Sequence, residues 1–337
     1  MPSRANSLLS SFLLSAAALV FVQSNAATAV EYCNPLPVSI ADPHVINVDG
    51  KYFLYGTNAV DRGFRVLTST DMIGWEKGEL CYSKMADSWG QRDFWAPEVI
   101  KRGESYYLFY TAQHEKSGDR NICVALASSP LGPFRDIQAP LIPGGSYIDG
   151  HPYHHAPTNE YFLYYVGEGR TTNSICMAKL NDTFTGFETS PTRCLQASQP
   201  WETNWVEGPV IVPHGRHYYM MYSGSAFWNA GYNVGYAVAQ NPMGPWKKFD
   251  GNPILRNTPE VSGPGHNCVL TDNAVYYVFY HRHRTPSDKK RVLALDRMIF
   301  APDPQGGLDL MTLPDAPSAT TQTLQRPREI FARLSGT

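Results

Sequence analysis

The sequence has little excess charge of either sign. Its 28 Lys and Arg residues nearly balance its 30 Asp and Glu residues, so the formal net charge is −2, and only 17% of the residues are charged. Proteins that bind nucleic acid or an anionic membrane surface by general electrostatics carry a cationic excess. The charge balance therefore argues against both kinds of partner.

Cysteines are also few, and they lack the spacing of a metal or redox motif. None of the six belongs to a C-x-x-C pair, which argues against zinc and thiol redox sites. In an exported chain, six cysteines allow up to three disulfides in any of 15 pairings. Cys123 and Cys176 occupy matching places in the repeat described below and can equally serve as small buried apolar residues. Bridged and unbridged cysteines both stay open.

Long apolar runs are limited to one, at residues 8–22. Arg4 precedes this run, and small residues follow it as far as Ala29. The run is shorter than the roughly 20 residues of a membrane-spanning helix, and the whole pattern is typical of a secretory signal peptide. We predict a signal peptide at residues 1–26, cleaved after Ala26 or Ala29, and a secreted or periplasmic protein with no membrane attachment. An uncleaved anchor is the alternative.

The sequence contains a repeat that is rich in strands. In its clearest copy, an apolar strand at 209–213 and a Tyr/Met-rich strand at 218–222 flank a His-Gly-Arg turn, as in a β-hairpin. Four further copies share this plan. One proline marks each copy, and successive markers lie 54, 55, 57 and 55 residues apart: Pro43, Pro97, Pro152, Pro209 and Pro264.

Each copy also has room for two more strands. Third strands are predicted at 65–69, 122–127, 174–178, 233–239 and 291–296. Five strand-rich periods of nearly equal length are typical of a propeller or a solenoid. We predict an all-β fold, a five-bladed β-propeller of four-stranded antiparallel blades, forming one domain over residues 27–337. Within it, residues 301–337 are expected to form a tail that packs on the last blade or frays.

Three acidic residues stand where the chain enters the first strand of a repeat: Asp42, Asp149 and Glu207. Because the innermost strands of a propeller surround its axis, we expect these side chains to converge on one funnel. Carboxylates aimed at one point raise one another's pKa, a costly arrangement that is typical of catalytic sites. A turn-capping role explains any one of them alone, whereas three at equivalent places favour catalysis. Aromatic residues near them in sequence are expected to keep one acid protonated near neutral pH: Trp95, Tyr147, Tyr153, Trp201 and Trp205.

The motifs around the acids resemble those of glycoside hydrolase family 43. The resemblance implies a five-bladed propeller that hydrolyses arabinofuranosides and xylosides in oligosaccharides or polysaccharides, with inversion and without an organic cofactor. It implies that Asp42 is the general base, that Glu207 is the general acid, and that an ionised Asp149 raises the pKa of that acid and orients it. The motifs that carry the resemblance are Ala41-Asp42-Pro43-His44, Trp95-Ala96-Pro97-Glu98, Asp149-Gly150-His151-Pro152, Glu207-Gly208-Pro209 and Gly263-Pro264-Gly265-His266.

The same resemblance implies three supporting residues. Trp95 would form a wall against the sugar, and Arg291 would hydrogen-bond substrate hydroxyls and a catalytic carboxylate. His266 would face a calcium ion on the propeller axis through water molecules. Blade packing, a surface charge and a structural hydrogen bond are the respective alternatives. The nearby His-Arg-His-Arg cluster at 281–284 is predicted to be a solvated loop.

The sugar and the mode of attack are less constrained. An exo-acting α-L-arabinofuranosidase is the first expectation and a β-xylosidase the second, with segments 198–205 and 227–232 as candidates to close one end of a cleft. Endo-arabinanase and β-galactosidase activities and a non-catalytic sugar-binding propeller are alternatives. The sucrose- and fructan-cleaving propellers carry Trp-Met-Asn-Asp-Pro-Asn and Arg-Asp-Pro motifs, which this sequence lacks.

Overall fold

The computed structural model describes residues 29–169, 171–304 and 306–325. Within these ranges the regular structure is β-strand apart from one 3-10 helix, Pro200–Glu202. The predicted signal peptide lies outside them. No helix in the described part of the chain is long and apolar enough to cross a membrane.

The strands form five four-stranded antiparallel sheets, each built from consecutive strands of the chain. The first strand of every sheet contacts the first strands of its two neighbours, so the five first strands form a ring around a central axis. This arrangement confirms the predicted five-bladed β-propeller.

The strands of the first two blades follow a short N-terminal strand. This strand is β1 (Ala29–Cys33). Blade 1 comprises β2 (Ala41–Val48), β3 (Lys51–Thr57), β4 (Gly63–Ser69) and β5 (Glu76–Ser83), and blade 2 comprises β6 (Gly90–Arg102), β7 (Ser105–His114), β8 (Arg120–Ala127) and β9 (Arg135–Gln138).

The remaining three blades repeat the plan. Blade 3 comprises β10 (Tyr147–His155), β11 (Glu160–Gly167), β12 (Ser174–Lys179) and β13 (Thr192–Gln196), and blade 4 comprises β14 (Val206–His214), β15 (His217–Gly224), β16 (Asn233–Ala239) and β17 (Lys247–Lys248). Blade 5 comprises β18 (Gly265–Asp272), β19 (Val275–His283), β20 (Arg291–Ala301) and β21 (Leu310–Thr312), and β22 (Thr321–Gln325) follows it.

The second strand of each blade supplies much of the core. Because neighbouring blades cover both of its faces, it reads as an aromatic run rather than as an alternating pattern. Each second strand contributes at least one fully buried tyrosine, and burial of such a side chain contributes about 1.5–3 kcal/mol. The five tyrosine hydroxyls all find hydrogen-bond partners, as buried polar groups require: Tyr55, Tyr110, Tyr164, Tyr222 and Tyr280.

A β-bulge interrupts the first strand of every blade. The pairing register shifts there, and one residue takes a left-handed conformation with φ between 43° and 57°. Bulges of this kind turn side chains out of the regular alternation, and they are common beside active sites. The left-handed residues, in blade order, are Asp42, Ala96, Asp149, Gly208 and His266.

The backbone N–H of each bulge residue links two blades. At four junctions it is donated to a side chain on the second strand of the preceding blade, over 2.7–3.1 Å. These links satisfy buried donors that the bulge removes from the strand ladder. The accepting side chains are those of Thr57, Thr111, Ser223 and His281.

The two ends of the described chain close the propeller. The segment before blade 1 pairs with β20 through backbone hydrogen bonds of Leu36 and Val38 to Leu293. β1 pairs with β22 in an additional two-stranded sheet. The region predicted as a tail therefore contains β21, the outermost strand of blade 5, and β22, which joins the two ends.

Two local features can now be placed. All six cysteines are unbridged, and Cys123 is buried whereas Cys176 is partly buried. The prediction of a solvated loop at 281–284 is wrong for its first three residues, because His281, Arg282 and His283 are buried at the end of β19 between neighbouring blades. Only Arg284 is exposed.

Candidate active site

Asp42 lies at the bulge of blade 1, where an arginine, a hydroxyl and two imidazoles surround its carboxylate. Oδ1 lies 3.1 Å from Nη1 of Arg291, and Oδ2 accepts a 2.6 Å hydrogen bond from the hydroxyl of Thr57. His281 and His266 place Nδ1 atoms 3.3 and 3.4 Å from Oδ1. Burial opposes ionisation, but Arg291 and the two histidines outweigh it and hold the pKa of Asp42 well below its usual value.

Glu207 has the opposite electrostatic setting. It lies in blade 4 immediately before the bulge residue Gly208 and is 9% exposed. The pKa of Glu207 is raised to about 7, first by burial and also by the charge of Asp42, against the lowering effect of the 2.8 Å hydrogen bond from the hydroxyl of Tyr232. A proton is therefore available on Glu207 near neutral pH.

Asp149 occupies the bulge of blade 3, where both other carboxyls oppose its ionisation. Burial, followed by the charges of Glu207 and Asp42, raises the pKa of Asp149 well above its usual value. The expected influence of an ionised Asp149 on Glu207 is thus mutual, since each carboxyl makes ionisation of the other less favourable. The pair holds a proton while Asp42 stays ionised.

The junction between blades 3 and 4 departs from the other four. Val166 pairs with Ile148, which is the register position that a hydroxyl or imidazole residue occupies in the other blades. The side chain of Val166 has no acceptor atom. The N–H of Gly208 instead donates to Oδ2 of Asp149 over 3.1 Å. Because Val166 offers no hydroxyl, the carboxylate of Asp149, itself a candidate catalytic group, links blades 3 and 4.

The two predicted substrate-binding residues lie on different elements. Arg291, at the start of β20, contacts Asp42 on one side, and its guanidinium lies 4.5 Å from the ring centre of Phe227 on the other. Trp95, in β6, occupies the register position that Glu207 occupies in blade 4. Its half-buried ring is covered by the guanidinium of Arg120 at 4.6 Å.

His266 lies at the bulge of blade 5, and its Nδ1 is 3.4 Å from Asp42 and 3.9 Å from Asp149. Calcium takes six to eight oxygen ligands. Within the described residues no group of three or more His, Cys, Asp or Glu side chains is arranged to hold a metal. Among the described residues these side chains offer no direct-ligand site, and a water-mediated calcium ion beside His266 stays a prediction.

A fourth acidic residue near the axis, Glu98, was given no role in the sequence analysis. Glu98 accepts a 2.7 Å hydrogen bond from Nδ1 of His151 and lies 3.5 Å from Nδ1 of His44. Burial opposes its ionisation, but His151 and His44 lower the pKa of Glu98 below its usual value. Its motif position in Trp95-Ala96-Pro97-Glu98 was the signal that pointed to it.

Other partners were missed because they carry no acidic motif. The hydroxyls of Tyr232 and Thr57 donate to the carboxylates of Glu207 and Asp42, and Nδ1 of His281 accepts the backbone N–H of Asp42, yet each lies on a different element from the residue that it contacts. Glu202, in the segment that leads into β14, is fully buried, where it bonds Tyr222 and Lys248 over 2.6 Å each. These contacts hold the 198–205 segment against blade 4.

Comparisons with known proteins agree with this geometry. The family model for glycosyl hydrolases family 43 matches residues 32–304. A β-D-galactofuranosidase of Aspergillus niger is 25% identical, over 79% of this chain and 82% of its own length. An extracellular endo-α-(1→5)-L-arabinanase of Thermotoga petrophila is also 25% identical, over 82% of this chain and 73% of its own.

A solved structure extends the agreement to the whole propeller. The crystal structure of a thermostable family-43 glycoside hydrolase superposes with a TM-score of 0.81 at 34% identity, covering 88% of this chain and all of that one. The match of the family model spans every blade and includes all three carboxylates. The chain belongs to glycosyl hydrolase family 43 and is a glycoside hydrolase.

Proposed function

We propose that this protein hydrolyses α-L-arabinofuranosyl linkages with inversion and acts from the ends of oligosaccharides or polysaccharides. The observation that carries the proposal is the opposite protonation of two buried carboxyls from different blades. The pKa of Asp42 lies well below its usual value, whereas that of Glu207 is raised to about 7. An inverting glycosidase needs one ionised and one protonated carboxyl, with the base activating a water.

Glu207 is the general acid in this proposal. Its proton passes to the glycosidic oxygen as the bond to the sugar breaks, which removes the need to expel an alkoxide. The hydroxyl of Tyr232 fixes the position of one carboxyl oxygen at 2.8 Å. Asp149 keeps the proton on the pair until the substrate takes it.

Asp42 is the general base. It accepts a proton from a water that attacks the anomeric carbon on the face opposite the leaving oxygen. The hydroxyl of Thr57 and the guanidinium of Arg291 hold its two oxygens. No covalent glycosyl-enzyme forms on this route.

The sugars named for two relatives support specificity for a furanose substrate. The two curated relatives described above are named for β-D-galactofuranose and α-L-arabinofuranose linkages. These two sugars have the same configuration around the furanose ring and differ in the exocyclic group attached to C4. A β-xylosidic substrate is the second candidate, since a protein named as an endo-1,4-β-xylanase from Bacteroides thetaiotaomicron superposes with a TM-score of 0.73 at 30% identity.

Export is part of the proposal. The apolar run at 8–22 supports it, together with a relative that is named as extracellular. N-terminal sequencing of the secreted protein is expected to begin at Ala27 or Val30. A secreted protein that still begins with Met1 would contradict cleavage.

The experiment that tests the proposal compares two variants on two leaving groups. Glu207→Ala is expected to lose about 10²–10⁴-fold in kcat/KM on oligosaccharides but to lose little on activated aryl arabinofuranosides, whose leaving groups need no proton. Asp42→Ala is expected to fail on both, because the water still needs a base. Equal losses in Glu207→Ala on both substrates would contradict the acid role.

A further inference from the structure

The loop at 225–232, between β15 and β16, lies beside both proposed catalytic carboxyls. It contacts a partner of Asp42 and contains a partner of Glu207. At its start, the ring of Phe227 lies against Arg291, which bonds Asp42. At its end, Tyr232 donates to Glu207. The loop therefore runs along the site from the side of the proposed base to the side of the proposed acid.

Two aromatic side chains on this loop face solvent. Phe227 is 40% exposed and Trp228 is 56% exposed, and among the large exposed hydrophobic residues of the described ranges these two alone are aromatic. Their ring centres lie 4.9 Å apart in an edge-to-face arrangement. Two adjacent exposed rings beside polar groups form an apolar patch of the kind that marks ligand-binding grooves.

The loop is held rigidly enough to present a fixed surface. The carbonyl oxygen of Phe227 accepts a 3.0 Å hydrogen bond from Nε2 of His283, whose other ring nitrogen bonds Ser262. The carbonyl of Ala230 accepts a 3.0 Å hydrogen bond from the N–H of Gly263. Both anchors come from blade 5 and the segment that enters it, and both leave the rings free.

We propose that Phe227 and Trp228 form a binding surface for a second sugar unit of the substrate, next to the unit whose linkage is cleaved. Aromatic faces bind the C–H faces of sugar rings, and sites with a few fixed polar groups beside apolar walls suit such ligands. The guanidinium of Arg291, which is partly exposed and lies against the ring of Phe227, supplies such a polar group. This inference rests on the proposed function and extends it from the reacting sugar to its neighbour.

The test compares substrates that do and do not reach the surface. Wild type, Phe227→Ala and Trp228→Ala are assayed on methyl α-L-arabinofuranoside and on an α-1,5-linked arabinotriose. Trp228→Ala is expected to lose about tenfold in kcat/KM on the trisaccharide, the loss of one good aromatic contact, and less than about twofold on the methyl glycoside. Phe227→Ala is expected to lose more on the trisaccharide than on the methyl glycoside, where any loss comes from its contact with Arg291. Trp228→Phe is expected to keep most of the activity on the trisaccharide.

Met243→Ala is the matched control. Met243 is 53% exposed in the turn between the two outer strands of the same blade, and its loss is expected to change neither substrate. Equal losses on both substrates, or no loss on the trisaccharide, would overturn the proposal. A change of oligomeric state in the Phe227 and Trp228 variants without a chain-length effect would overturn it as well, since the rings would then contact a second copy.

Failure of the proposed function gives a different result. If wild type cleaves β-xylosides rather than arabinofuranosides, the same comparison uses methyl β-xyloside and a β-1,4-linked xylotriose. A chain-length effect there would support the surface and reject the proposed sugar. If neither the arabinose nor the xylose substrates show a chain-length effect, the proposed binding surface is rejected whichever sugar the enzyme cleaves.

Discussion

The N–H of Gly208 donates a 3.1 Å hydrogen bond to the carboxylate of Asp149. At the other four blade junctions a hydroxyl or imidazole accepts the equivalent N–H, but Val166 has no atom that can do so. Asp149 therefore joins blades 3 and 4 and, through the same contact, is held beside residue 207. The side chain of Asp149 thus has a structural role, linking two blades, and an electrostatic role beside Glu207.

Asp149→Asn separates these two roles. The amide oxygen can still accept from Gly208, but the negative charge that opposes ionisation of Glu207 is removed. The last proton of the pair is then lost at lower pH, so the alkaline limb of kcat/KM against pH is expected to move down. An unchanged alkaline limb would contradict the electrostatic role. Asp149→Ala, which also loses the link, is expected to lower the melting temperature more than Asp149→Asn does.

Arg291→Gln tests the ionisation of the proposed base. Burial alone would raise the pKa of Asp42, and Arg291 is the strongest influence that lowers it. Removing the guanidinium is expected to move the acidic limb of kcat/KM against pH upward by about one unit or more. Arg291→Lys should restore part of the shift. Arg284→Gln, which removes an exposed arginine, is the control, and an acidic limb equally placed in both glutamine variants would reject the role.

The repeat predicted the architecture because each period contains one complete blade. Asp42, Asp149 and Glu207 were identifiable because each stands where the chain enters the first strand of its blade. Of their hydrogen-bond partners, only Arg291 was predicted, since the contacts of Tyr232 and His281 depend on which strands lie side by side and in which register. Sequence separation hides such contacts.

The misread cluster at 281–284 has a related cause. Alternating charged residues at a strand end are typical of a solvent-facing edge, but neighbouring blades cover both faces of a propeller's second strand. The guanidinium of Arg282 is buried there and bonds the backbone carbonyl of Glu260 at 3.0 Å. A buried histidine and a solvated one look alike in the sequence.

Removal of divalent ions tests the predicted calcium. Because a bound ion stabilises the folded state, a chelator is expected to lower the melting temperature of the wild type, and added calcium should restore it. His266→Ala is expected to start from the lower value and to respond less to the chelator. If the chelator does not change the melting temperature of the wild type, the calcium prediction fails and His266 serves only as a partner of Asp42.

The configuration of the first product tests the central claim most directly. The proton-transfer roles of Asp42 and Glu207 predict that water enters on the face opposite the leaving group. Proton NMR of a fresh digest, recorded before mutarotation, is expected to show a β-anomeric sugar released from an α-L-arabinofuranoside. Release of the α-anomer, or a trapped glycosyl-enzyme, would show that a carboxylate acts as a nucleophile and would contradict the assignment.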